Sequence, residues 1–475
     1  MEGTFHVDSM SWAKGLSVEV GGHGVVSRAG SAATRLLSDR TGMTAGLSEA
    51  LARRGFVPLH DRGRVLADLA VAIADGATTI GEIDTLRHQE ELFGPVASDT
   101  TAWRTLAGCD AVALARISKA RAKTRRHVWG LIAARHGGIP AARAAGRDLG
   151  EVIVVRLDAT IVVAHSDKQQ ARGTFKGTYG FHPLTAWCDN TDESLAVELR
   201  PGNAGSNTAA DHIALVDAAI AQIPARYRRR MLFTCDGAGA THALVDHISA
   251  LNARRGCQVH YSVGLDFDER IRDVLPRLPE SAWNAALDAD GTARPDAQVA
   301  ELTGLLRRSA GGDRFAKWPP DMRILVRREN PHPGAQLSLF EQHEGKRYQV
   351  TATSTPGGQV QFLEARHRTQ ARVEARIRCG KNTGLRHLPS RNYQVSTAWC
   401  QAASIACDLL AWLRLLALDG DLAKAEPKTL RYKVLHTSGK IVKGQRRRYL
   451  KIPPCWPWAQ DIADAFTQIM ALPPP

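Results

Sequence analysis

EVIVVRLDATIVVAHS, residues 151–166, decides the fold. Five of the six residues from Val152 to Leu157 are Val, Ile or Leu, a run suited to a strand buried on both faces. Asp158 stands where that run ends. RRMLFTCDGAG (229–239) repeats the arrangement: a buried strand, then Asp236, then Gly237 and Gly239, which let the backbone turn tightly. Between the two, KGTYGFHPLTAWCD (176–189) and ESLAVELRPG (193–202) read as strands and DHIALVDAAIAQIPA (211–225) as a helix. THALVDHISALNARRG (241–256) is a second helix and CQVHYSVGL (257–265) a further strand. Three strands in meander followed by helix–strand–helix–strand predict a mixed α/β layer. Both aspartates then belong near the carboxyl ends of neighbouring buried strands, where open α/β sheets place their ligands.

Upstream, the chain reads helical from Ser31 to about Gly138, with Gly or Pro between apolar-periodic stretches such as RGRVLADLAVAIADG (62–76). Residues 1–30 are Gly/Ser-rich and predict a mobile lead-in. Short helices with tight turns suit a helix-turn-helix type of DNA reader, so residues 1–140 are expected to form a helical DNA-binding domain. Its last helix carries Arg116, Lys119, Arg121, Lys123, Arg125 and Arg126 with no acid among them. Solvated helix faces normally mix both signs. A single-sign run instead fits a contact with backbone phosphates, for which Arg116, Lys119, Lys123 and Arg126 are the candidates.

Downstream, residues 150–270 make the first part of the α/β core. Residues 271–357 read as a β-rich insertion with strand signals MRILVRREN (322–330), QLSLFEQ (336–342) and KRYQVTATS (346–354). Helical character returns with QFLEARHRTQARVEARIR (361–378) and VSTAWCQAASIACDLLAWLRLLAL (395–418), giving a second part of the core over 358–420. The remainder, 421–475, is a second basic segment: Lys424 to Lys451 holds ten Lys/Arg against one acid, Glu426.

The whole chain of 475 residues has 62 Lys+Arg against 48 Asp+Glu, a net charge of +14. Only 14 of the 62 are Lys, so the cationic groups are mostly guanidinium, which forks onto phosphates and base edges. That excess points to a polyanionic partner. The first residues have no apolar signal-peptide core, and no run of ~18 apolar residues occurs, so a soluble, cytoplasmic protein with no membrane partner is expected. Eight cysteines without a CxxC or zinc-ligand spacing are expected to be reduced thiols.

Two strand-end carboxylates without a basic partner repel unless they share a proton or a cation, and oxygen-only ligation suits Mg²⁺ or Mn²⁺. A third element, HRTQARVEARIRCGKN (367–382), places Glu374 seven residues after His367 and seven before Lys381, in a composition that an ordinary salt-bridged surface helix also shows. Seven residues are close to two helical turns, so His367 and Glu374 share one face, with Lys381 on it if the helix runs past Gly380 and on a C-terminal loop if it ends there. Glu364 lies ten residues upstream of Glu374 and points roughly 80° away on the same predicted helix, where it is expected to complement the macrodipole.

The order of Asp158, Asp236, a β-rich insertion and a helix bearing Glu374-x6-Lys381 resembles the DDE transposases of bacterial insertion sequences, built on an RNase H-like core. LDATIVVAHSDKQ, TYGFHPLTAW, CDGAGATH and HRTQARVEARIRCGKNTGLRHLPS are most similar to insertion-sequence family 1380. The resemblance covers about residues 150–410. It implies that Asp158, Asp236 and Glu374 are catalytic and hold two divalent ions. It also implies that Lys381 contacts DNA phosphate, that terminal inverted repeats and target DNA are the partners, and that a homodimer forms the synapse. The family's Tyr-x2-Arg-x3-Glu-x6-Lys signature has His367 and Gln370 at its first two positions, and these are expected to donate to DNA phosphate without reproducing a guanidinium fork. The resemblance also makes Trp283 and Trp318, in the insertion, candidates to stack on a flipped base, although a buried core position is the expected reading for each. A nuclease or resolvase on the same core, or a silent DNA-binding regulator, are the alternatives.

Overall fold

The computed structural model describes all residues except 1–14, 19, 56, 206–207, 309–314, 332 and 446. Strands β1 (Ile153–Ala159), β2 (Leu184–Cys188), β3 (Ser194–Glu198), β4 (Arg230–Cys235) and β5 (Gln258–Leu265) form the centre of the molecule. They are followed by β6 (Asn284–Leu287), β7 (Ala293–Glu301), β8 (Arg323–Glu329) and β9 (Arg347–Thr353). All nine lie in one sheet of order β6-β7-β8-β9-β5-β4-β1-β2-β3. β1, β4 and β5 run parallel, whereas β2 is antiparallel to both of its neighbours.

The expected insertion is thus not a separate layer. β9 pairs antiparallel with β5, so residues 271–357 prolong the core sheet by four strands. One strand signal within it is overturned: Leu339–Glu344 is a helix, because Ser338 and Glu341 form a reciprocal capping box.

The helices used below are α1 (Arg62–Asp75), α2 (Ala111–His136), α3 (Ala209–Gln222), α4 (His242–Asn252), α5 (Val360–Arg368), α6 (Arg372–Gly380), α7 (Tyr393–Ala417) and α8 (Ala459–Ala471). α7 is long and apolar enough to cross a membrane, yet it is the buried core helix onto which α1, α2 and α8 pack. The N-terminal helices consequently share one hydrophobic cluster with the sheet, running from Ala33 to Ile469.

A buried ion network fixes α2 in that core. Arg125 is paired with Glu193 at 2.8 Å and with Asp408 at 2.6 Å, and Arg121 reaches Asp408 at 2.9 Å. The indole N–H groups of Trp129 and Trp412 both donate to Glu193 at 2.6 Å. The basic run is therefore two sets of residues. Arg121 and Arg125 face inward and are neutralised by acids distant in sequence, while Arg116, Lys119, Lys123 and Arg126 form an exposed stripe at 3-4-3 spacing.

The ends of the chain also meet. Val25–Val26, inside the expected mobile lead-in, pairs with β10 (Gly439–Gly444), which pairs with β11 (Arg447–Lys451). Residues 1–14 of that lead-in lie outside the described residues. In the ribbon, Ile441 and Leu450 share the face packed on Val26 and Ala29. Lys440, Arg447 and Lys451 alternate onto the outer face.

Candidate active site

The parallel register builds the site. Arg156, Thr234 and Ser262 are paired across β1, β4 and β5. Asp158 lies two residues further along β1, and Asp236 stands just past the end of β4, against Gly264 of β5 and near enough to Asp158 for its charge to be felt there. A side chain at Gly264 would collide with the Asp236–Gly237 backbone, its Cβ falling 2.9 Å from the Gly237 nitrogen. Glycine on the neighbouring strand is what admits the tight turn after Asp236. The Asp236 carboxylate accepts from the Ala238 N–H at 3.1 Å and stays exposed.

Above the Arg156–Thr234–Ser262 row lies the junction of α5 and α6. The single helix expected over 361–378 is interrupted by a 3-10 turn, Thr369–Ala371. Thr369 Oγ1 accepts from Arg156 at 2.9 Å, the hydroxyl of Thr234 donates to Gln370, and Ser262 Oγ lies 3.0 Å from His367 Nδ1. Gln370 Nε2 also donates to the Leu157 carbonyl at 2.8 Å. His367 and Gln370 are therefore not free donors for DNA phosphate, as the signature positions implied. Both are turned into the sheet. Burial, reinforced by Arg366, Arg327 and Arg156, depresses the His367 imidazole to about 4, so it is neutral at physiological pH.

This clamp sets where Glu374 falls. One helical turn from Gln370 advances about 6 Å, and two strand residues advance about 6.6 Å. Glu374 then stands beside the Asp158–Asp236 row, exposed. The Asp158 carboxyl is pushed up to about 7, first by burial, then by the negative charge of Asp236 and further by Glu374, against the Ala159 N–H and Lys381. Among the described residues no three His, Cys, Asp or Glu side chains close into a metal-binding group. The donor chemistry nonetheless fits a hard cation: three carboxylates, one of them made costly to ionise by burial and by the charges of the other two.

Lys381 continues the helix beyond Gly380, and the helical backbone breaks only at Thr383 and Gly384. Its ammonium donates to the Ile161 carbonyl at 3.0 Å, and burial with the nearby charges of Arg386 and Lys176 lowers its pKa, opposed by Asp158. Gly380 is needed for close packing, since its Cβ would lie 2.8 Å from the Trp187 ring.

Glu364 is buried rather than a simple complement to the dipole, and it is paired with Arg327 at 3.1 Å and Arg368 at 3.0 Å. The two tryptophans are both partly covered. The Arg328 guanidinium lies 4.1 Å over Trp283, and Trp318 packs against His242 with ring centroids 4.0 Å apart. The sequence reading passed over Phe175 and Lys176. They sit at the tip of a turn in GTFKGTYG (173–180), where a large apolar residue between turn formers was the available signal.

Gln370→Leu is expected to remove the acceptor of the Thr234 hydroxyl and the Gln370 donor to the Leu157 carbonyl, costing about 1–3 kcal/mol in urea unfolding. Affinity for DNA should not change. A variant of wild-type stability that binds DNA weakly would restore Gln370 to the DNA surface.

The model for transposase DDE domain group 1 matches residues 9–474, and the chain belongs to that family. It is a DNA transposase, and dependence on divalent metal follows from the family. A search of curated proteins finds no match. Among solved structures, a similar chain is that of the cryo-EM structure of the piggyBac transposase synaptic complex with hairpin DNA. The two share 8% identity with a TM-score of 0.39, over 85% of this chain and 79% of that one.

Proposed function

We propose that this transposase binds the terminal inverted repeats of a bacterial insertion sequence of family 1380, cleaves phosphodiester bonds there and transfers the ends to target DNA. Asp158, Asp236 and Glu374 would hold two Mg²⁺ or Mn²⁺ ions. The reading is carried by Asp158 and Asp236 standing near each other at the ends of adjacent strands, under a helix whose clamp sets Glu374 beside them. The order β3-β2-β1-β4-β5, with only β2 reversed, supports an RNase H-like core. When bound, the ions supply charge stabilisation to the attacking and leaving oxygens. Lys381 binds the phosphate beside Asp158, while His367, Thr369 and Gln370 hold the active-site helix on the sheet. The chain would work as a homodimer in the cytoplasm, on the nucleoid.

Incubating the full chain with a duplex ending in the repeats that flank its coding region tests the reading. Divalent-metal-dependent cleavage followed by joining to a second duplex is expected. Cleavage without joining would favour a nuclease or resolvase, and tight binding without cleavage a silent regulator.

The exposed stripe Arg116, Lys119, Lys123 and Arg126 would grip the repeat, the buried Arg125 network keeping its helix rigid. Lys440, Arg447 and Lys451 offer a second cationic face. Replacing all four stripe residues by alanine is expected to reduce the salt slope of log affinity by about 3–4, since each phosphate contact contributes roughly 0.9. An unchanged slope would remove the stripe from the interface.

A further inference from the structure

Phe175 is 71% exposed, and no other phenylalanine among the described residues is classed as exposed. Its position is fixed by a tight turn rather than by a floppy loop. The Thr174 N–H donates to the Thr178 carbonyl at 2.7 Å, the hydroxyls of these two residues are 2.7 Å apart, and the Gly177 N–H donates to the Thr174 carbonyl at 3.0 Å. Gly177 takes φ +74°, the left-handed conformation that lets the chain reverse after Lys176. The turn thus presents an aromatic ring and a cation together. The Lys176 ammonium lies 5.7 Å from the centre of the Phe175 ring, and the His182 ring lies 5.6 Å away.

The tip overhangs a cavity of about 320 Å³ whose wall includes Ala159, Thr160 and Ile161, the residues that follow Asp158, together with His182 and Lys381. Lys176 and Arg386 are both close enough to Lys381 to depress its pKa, and Asp158 is the acid that opposes them there. Cations gathered against one another in this way fit an anion better than they fit each other. An exposed ring forgoes the gain of burying its apolar surface. A nucleobase recovers that surface by stacking, whatever its identity.

We propose that the Phe175–Lys176 turn is a nucleotide platform at the mouth of the active site. Phe175 stacks on a base that has left the duplex beside the cut, and Lys176 with Lys381 holds the phosphate of that nucleotide. The inference rests on the transposase reading above and names the residues that receive the distorted strand. It assigns the stacking role to Phe175 on exposure, since its ring is largely in solvent whereas Trp283 and Trp318 are partly covered.

The test uses the full chain, Mg²⁺, and a duplex carrying the flanking repeat, either intact or with an abasic nucleotide beside the cut. Phe175→Ala is expected to slow cleavage of the intact duplex by about 5- to 150-fold, the equivalent of 1–3 kcal/mol of stacking, with end affinity changed less than threefold. Phe175→Trp should restore the rate to within a few-fold. On the abasic duplex, wild type and Phe175→Ala should cleave alike. Wild-type rates for Phe175→Ala on the intact duplex, or an equal loss on both duplexes, would overturn the platform. The wild-type chain is read in the same assay. Failure of wild type to cleave with any divalent metal sinks the transposase reading and the platform with it, whereas cleavage indifferent to Phe175 sinks the platform alone.

Discussion

Asp158→Asn should abolish DNA cleavage and, in metal-free buffer at pH 8, raise the melting temperature by a few degrees. The two effects share one cause. The folded chain keeps the Asp158 proton up to about pH 7, whereas the unfolded chain loses it near pH ~4. Between those values the folded state holds the extra proton, so stability falls as pH rises. Above pH 7 the full cost of an ionised Asp158 beside Asp236 and Glu374 is present. The amide removes that cost, so the melting difference between variant and wild type should be largest at pH 8 and vanish near pH 4. A divalent ion offers the other relief. Mg²⁺ or Mn²⁺ should raise the wild-type melting temperature at pH 8, because a ligand bound only by the folded state stabilises it, and should do so less in the variant. Cleavage should fall on the order of a thousandfold or more, matching the several kcal/mol that metal ions contribute to such chemistry, while binding of end DNA persists. Parallel melting curves from pH 5 to 8, or substantial cleavage by the variant, would disprove the assignment.

Glu374→Gln is expected to silence cleavage to the same degree with no loss of stability, and Glu364→Gln to do the reverse. Glu374 is exposed and makes no ion pair among the described residues, so its amide disturbs no packing. Glu364 is buried between Arg327 and Arg368. Its neutralisation takes the acid partner from Arg368 and leaves Arg327 with Glu329 alone, and breaking a buried pair of this kind costs about 3–5 kcal/mol. Urea unfolding should register that loss, while cleavage per folded molecule stays within a few-fold of wild type. If Glu364→Gln is stable and inactive and Glu374→Gln remains active, the third acid has been placed one register wrong.

Two expectations from the sequence failed because the deciding partners are distant in the chain, and a third because a local helix cap outweighs strand-like alternation. Six cations without an acid in α2 read as a single-sign run, yet two of them, Arg121 and Arg125, are neutralised by Glu193 and Asp408, 68 and 283 residues away respectively for Arg125. Gln370 and His367 occupy positions where the family pattern has phosphate donors, yet Thr234 and Ser262 take both. QLSLFEQ alternates like a strand, but the Ser338–Glu341 capping box makes it a helix.

Taken alone, the sequence determined which segments are strands of the core and where each ends, because β-branched runs stopped by Asp158 and by Asp236-Gly237 encode local structure within a few residues. It also determined that two acids lie at strand ends and that Glu374 and Lys381 are spaced close to two helical turns apart, since period 2 and period 3.6 are local properties. Only the tertiary structure decided that β1 and β4 are adjacent and in register, that residues 271–357 prolong the sheet, and that the two ends of the chain meet in one ribbon. The same holds for which charges are buried and paired. Each of these depends on partners distant in the chain, and pairing across such distances is fixed by packing and electrostatics that no local pattern records.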